Sequence, residues 1–81
     1  MPIIFRYKGY KFFFFSNENI PRELIHVHVR KAEALAKFWL EPEVKVANVY
    51  NFSSSELKEL LEVVEQNKNL FVRSWYEYFG E

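Results

Sequence analysis

Two histidines, His26 and His28, stand one residue apart in the run LIHVHV, and they are the only histidines in the chain. On an extended strand their imidazoles share a face about 6–7 Å apart, a separation that two metal ligands can span. A metal site needs a third ligand. The chain has no aspartate and no cysteine, so only Glu18 or Glu23 in the preceding segment could serve, and a nearby lysine would repel the cation. No metal and no cofactor are therefore expected. Acid–base work suits the pair better, because an imidazole titrates near neutrality. Metal-free RNA cleavage needs one group to take the 2′-hydroxyl proton, one to protonate the leaving oxygen, and cations for the developing charge. His26 and His28 are the candidate catalytic residues for that chemistry, with Arg30 and Lys37 as the cations. The same residue types also suit binding without cleavage. Arg6, Lys11, Arg30 and Lys37 would hold phosphates, and Trp39 would offer a ring for base stacking.

The elements that must position these residues are legible in the alternation of apolar and polar positions. IIFRYKGYKFFFF reads as a hairpin turning at Lys8-Gly9, with strands over residues 3–7 and 10–16. A two-residue turn pairs Tyr7 with Tyr10, Arg6 with Lys11 and Phe5 with Phe12. Ile3, Phe5, Tyr7, Tyr10, Phe12 and Phe14 then face the core, and Ile4, Arg6, Lys11, Phe13 and Phe15 face outward. Residues 16–23, with Pro21, read as a loop. Strands over 25–30 and 35–40 form a second hairpin across Lys31–Ala34. It pairs His26 with Trp39, His28 with Lys37 and Arg30 with Leu35 on the outer face, and Ile25 with Leu40, Val27 with Phe38 and Val29 with Ala36 on the inner one. The two patterns agree in this register. The outer face, imidazoles included, is expected to meet water.

After Pro42, EVKVA reads as a fifth strand at a sheet edge. At Ser53 the period changes from two to three-and-four. Ser53 and Glu56 make a capping box, and Leu57, Leu60, Leu61, Val64, Phe71, Trp75 and Tyr78 form one apolar stripe, with helix over 54–78, either one long helix bent near Asn67 or two helices in line, and Gly80 as the stop. Glu56, Glu59, Glu62 and Glu65 read as its solvated face. The fold class is α+β: an antiparallel β-sheet of about five strands, two hairpins plus an edge strand, packed on one face by a long C-terminal α-helix, in a single domain over residues 1–81.

With no cysteine, stability rests on apolar burial, to which nine Phe, five Tyr and two Trp contribute. No run approaches a membrane span and no leader is recognisable, so a cytoplasmic protein with no membrane association is expected. The net charge of zero speaks against a general nucleic-acid binder, although the charge is uneven: residues 1–40 carry seven Lys/Arg against three Glu, and residues 41–81 four against eight. Phe13, Phe15, Leu35 and Trp39 on the outer face exceed what a small monomer comfortably exposes, which predicts an interface there. The partner is a second copy or another protein covering the sheet, with RNA the other candidate.

The segments MPIIFRYKGYKFFFFSNEN, IPRELIHVHV, AKFWLEPEV and FSSSELKELLEVVEQNKNLFVRSWYEYFG, in this order, resemble the DUF4160 family of small bacterial proteins, a domain of unknown function. Members usually carry Pro-Pro directly before the His-x-His-Val element, whereas here Arg22–Ile25 separates Pro21 from His26. The turn RKAEA also lacks a glycine common at that place. Relatives are often encoded beside another small protein, and such pairs have been suggested to be toxin–antitoxin modules. The resemblance thus implies a protein partner acting within a two-gene module, with an RNA target as the alternative. Whether the chain is an enzyme stays open at this point.

Overall fold

A computed structural model describes residues 3–15 and 24–80. Five strands lie side by side in chain order: β1 (Ile3–Tyr7), β2 (Tyr10–Phe13), β3 (His26–Lys31), β4 (Ala34–Trp39) and β5 (Lys45–Tyr50), each antiparallel to its neighbour. Two helices follow, α1 (Ser54–Gln66) and α2 (Lys68–Phe79). The expected α+β class and sheet hold, with two helices in place of one. The expected loop over residues 16–23, with Glu18, Glu23 and Pro21, lies outside the described residues.

The first hairpin turns on Lys8 (φ 48°) and Gly9 (φ 84°), both in the left-handed region that a two-residue hairpin turn with matching twist requires. Tyr7 pairs with Tyr10, Arg6 with Lys11 and Phe5 with Phe12, as the alternation requires. Beyond Phe5 the register slips by one residue, and Ile3 pairs with Phe13. This bulge exchanges the two isoleucines: Ile4 packs on the core, and Ile3, expected inside, joins the outer face with 42% of its surface exposed. β2 ends at Phe13 rather than at residue 16 because Phe14 leaves the ladder for the core, meeting Trp75 edge-on at 5.3 Å and Phe79 at 5.9 Å.

The β3–β4 register is the one expected, from His26 opposite Trp39 to Arg30 opposite Leu35. Its turn is tighter than expected: Lys31 pairs with Ala34, leaving only Ala32 and Glu33 to reverse the chain, with Ala32 at φ 53°. β5 begins and ends later than EVKVA and carries a bulge opposite Lys37 and Phe38.

Ser53 caps α1 as expected. Its Oγ accepts from the Glu56 amide at 3.2 Å, and Glu56 Oε1 accepts from the Ser53 amide at 2.9 Å. Asn67 separates the helices, its side-chain amide donating to the Val63 carbonyl at 2.9 Å. In α2 the buried stripe is Phe71, Trp75 and, half-buried, Phe79, whereas Tyr78, expected in the core, keeps 40% exposure. Gly80 (φ 75°) closes α2 by donating to the Tyr76 carbonyl. Phe71 stacks on Phe12 at 5.4 Å and meets Phe5 edge-on at 5.6 Å, which fixes the helices on the sheet's inner face. Each such buried ring contributes on the order of 1.5–3 kcal/mol.

Candidate functional site

The strand registers arrange the outer face in rows. Arg6, Lys11, Arg30, Leu35 and Tyr50 form one row across all five strands. Phe13, His28, Lys37 and Asn48 form the next, with Ile3 joining it through the β1 bulge. His26, Trp39 and Lys45 form a third. The sequence-predicted cations Arg6, Lys11 and Arg30 are thus direct cross-strand neighbours, all exposed. At about 4.8 Å per strand, three positive charges fall within about 10 Å. No carboxylate occurs in any of the five strands, which together hold Arg6, Lys11, Arg30, Lys31, Lys37 and Lys45. Lys37 stands apart from the row, its Nζ 4.5 Å above the Trp39 ring.

The histidines depart from expectation. His26 is fully buried and His28 keeps 8% exposure, although both belong to the outer face. Aromatic rings cover them in place of water. Phe13 stacks on His28 at 5.7 Å, Phe15 meets it edge-on at 4.5 Å, and Trp39 meets His26 at 5.5 Å. The two imidazoles lie 5.4 Å apart, and His26 also reaches Trp75 of α2 at 5.1 Å, beside the stretch where β2 has ended. Ile25, Val27 and Val29 are buried on the opposite side, so both sides of β3 are enclosed. His26 Nδ1 lies 2.7 Å from the Leu24 carbonyl oxygen, which can only accept, so Nδ1 carries the proton of that bond. Enclosed in this way, His26 shows no surface to a substrate hydroxyl, and His28 reaches solvent only through the small part of its surface that lines a shallow cavity.

The residues expected at an interface are partly covered within the chain. Phe13 is 4% exposed, and Phe15, Leu35 and Trp39 are half-buried. Among the described strand residues, the most exposed large apolar side chains on this face are Ile3 and, at 65%, Tyr50. Neither was singled out as a site residue. The adjacent isoleucines Ile3-Ile4 carried the only signal, since strict alternation sends one of two neighbours outward. Two shallow cavities open here, one of about 180 Å³ between Ile3, Lys11, Phe13 and Arg30, and one of about 130 Å³ against Lys37, Asn48 and Tyr50 with His28 at its base.

The negative charge sits elsewhere. Glu59 of α1 accepts from the Tyr7 hydroxyl at 2.7 Å and from Lys8 Nζ at 3.1 Å, and Glu56 accepts from the Tyr10 hydroxyl at 3.3 Å. These bonds tie the first hairpin to α1, so Glu56 and Glu59 are not simply solvated; Glu62 and Glu65 are exposed. The Tyr7 hydrogen bond, then that of Lys8, holds the Glu59 carboxyl below its ordinary value, and the Ser53 amide does the same for Glu56. Lys8 is raised in turn, chiefly by its bond to Glu59, and Tyr10 is raised by burial and the nearby carboxylates.

Among the described residues, no group of three or more histidines and carboxylates could hold a metal ion, and no helix is long and apolar enough to cross a membrane. The site is a basic sheet surface with a buried aromatic–histidine floor, on a five-stranded antiparallel meander backed by two helices. No curated protein and no solved structure matches the chain. A family model does, over residues 9–76: the chain belongs to the family described as Domain of unknown function (DUF4160).

Proposed function

We propose that the protein is a non-catalytic interaction module that binds an acidic segment of a protein partner across its outer sheet face. The Arg6–Lys11–Arg30 row carries the reading. Like charges directly opposite one another on a sheet cost stability. Among the described residues no carboxylate forms an ion pair with any of the three. A local conflict of this kind, without compensation among the described residues, is what a partner that supplies the anions would relieve. The net charge of zero and the isoelectric point near 6.7 favour a partner with a shaped acidic patch over a general polyanion. Burial of His26 and His28 speaks against their use as an endoribonuclease pair, because a general base must reach the proton it takes. A cytoplasmic two-gene module, toxin–antitoxin-like or otherwise, would supply such a partner as the neighbouring gene's product.

The test is co-expression with that product, with complex mass read by light scattering and affinity by calorimetry. Lys11→Glu places an anion between Arg6 and Arg30. It should weaken the complex by about tenfold or more, as loss of one close charge pair does, while leaving the fold intact. A complex indifferent to Lys11→Glu and to salt would overturn the reading, and so would a chain that binds neither that product nor any acidic peptide.

A further inference from the structure

The β1 bulge builds a cavity that the sheet would otherwise lack. By turning Ile3 to the outer face it sets an aliphatic side chain beside Phe13, and with Lys11 and Arg30 these enclose about 180 Å³. Two walls are apolar and two are cationic, and none is a carboxylate. Bulges that re-aim a side chain beside a charged surface are common next to binding sites. We infer that this cavity seats one apolar side chain of an extended acidic segment, with a carboxylate two residues away held by Lys11 and Arg30. The inference rests on the proposed docking of an acidic protein segment to this face.

Spacing and charge select the occupant. Lys11 and Phe13 are two residues apart on β2 and lie on one face, about 6–7 Å along the strand. An extended segment laid along β2 presents its own alternate side chains at the same interval, so acidic-x-apolar matches cation-x-ring position for position. A purely anionic ligand would leave Ile3 in water, and a purely apolar one would desolvate two cations with no return. A nucleic-acid strand could place phosphates on Lys11 and Arg30. It would find no stacking platform in this cavity, where Phe13 shows only 4% of its surface, and no side-chain acceptor for a base edge.

The probes are labelled dodecapeptides, two repeats of Glu-Thr-Leu-Thr-Glu-Thr and a control with serine for leucine, together with a twelve-nucleotide oligothymidylate. Binding to the full chain is read by fluorescence anisotropy at low ionic strength. The leucine peptide should bind about tenfold tighter than the serine control, the value of burying one aliphatic side chain. Ile3→Ser should erase that difference while leaving the control's affinity unchanged, Ile3→Leu should preserve it, and Lys11→Glu should remove both peptides. Equal binding of the two peptides, or a difference that survives Ile3→Ser, overturns the cavity assignment and leaves the acidic docking face standing. Failure of both peptides to bind overturns the docking face as well. Oligothymidylate binding tighter than either peptide overturns both in favour of a nucleic-acid surface.

Discussion

His28 touches Phe13, Phe15 and His26 where its position on the outer face would have it touch water. Its removal is therefore a core truncation. His28→Ala is expected to cost about 2–4 kcal/mol, in the range of other large-to-small changes in packed interiors, as measured by urea unfolding. A loss below about 0.5 kcal/mol, typical of exposed sites, would mean that the ring is solvated after all. Glu59 makes a pH-dependent contribution. Its folded carboxyl titrates below its unfolded one, so its stabilisation is complete above the unfolded value, about 4.3, and is lost as pH falls through the lower folded value. The melting temperature should therefore decline below about pH 4.5, and Glu59→Gln should make that decline shallower, Glu56 supplying the remainder. Ala32 holds a left-handed backbone that an L side chain enters at a cost. Ala32→Gly should stabilise the β3–β4 hairpin by about 0.5–1 kcal/mol, read from the denaturation midpoint.

The helices depend on their ends. Ser53 and Glu56 satisfy two amides reciprocally, and Glu56 also receives Tyr10 from the first hairpin, so one cap joins the start of α1 to the sheet. Ser53→Ala should cost about 1 kcal/mol, seen as a lower melting temperature with the far-ultraviolet helical signal retained before the transition. Within α2 the buried stripe follows the i, i+4, i+8 spacing of Phe71, Trp75 and Phe79, which pack on the core, and leaves Tyr78 more exposed. The sheet's bulges lie in its two edge strands, where they disturb the open ladders that would otherwise invite pairing with another chain.

Charge is partitioned across the molecule. The strands hold cations and no acid, while α1 holds Glu56, Glu59, Glu62 and Glu65 against the single cation Lys58. The net charge of the whole chain is zero, yet the partition gives the outer face a positive field that can steer an acidic partner onto it. Stability and binding should then pull in opposite directions at one residue. Lys11→Glu turns two like-charge cross-strand contacts into attractive ones and should raise stability by a few tenths of a kcal/mol, while weakening docking by about tenfold or more. Paired calorimetric melting and binding measurements on this one variant check both halves.

Much of the architecture was determined by local chemistry in the sequence. Alternation in two neighbouring strands fixed the His26–Trp39 to Arg30–Leu35 register, because a one-residue slip would have turned both apolar sets to the wrong side. Lys8-Gly9 specified the first turn, and Ser53 with Glu56 specified the helix start, since each depends on residues within one turn of the chain. Alternation tells which side of a sheet a residue occupies, but not what covers that side. That His26 and His28 lie under Phe13, Phe15 and Trp39 was decided by rings brought together from three strands and their ends. The exchange of Ile3 and Ile4 was likewise invisible in the sequence, because two equally apolar neighbours give alternation nothing to distinguish them and the β1 bulge made the choice. The partners of Glu56 and Glu59 come from more than 40 residues away, a pairing that only the packed hairpin and helix create.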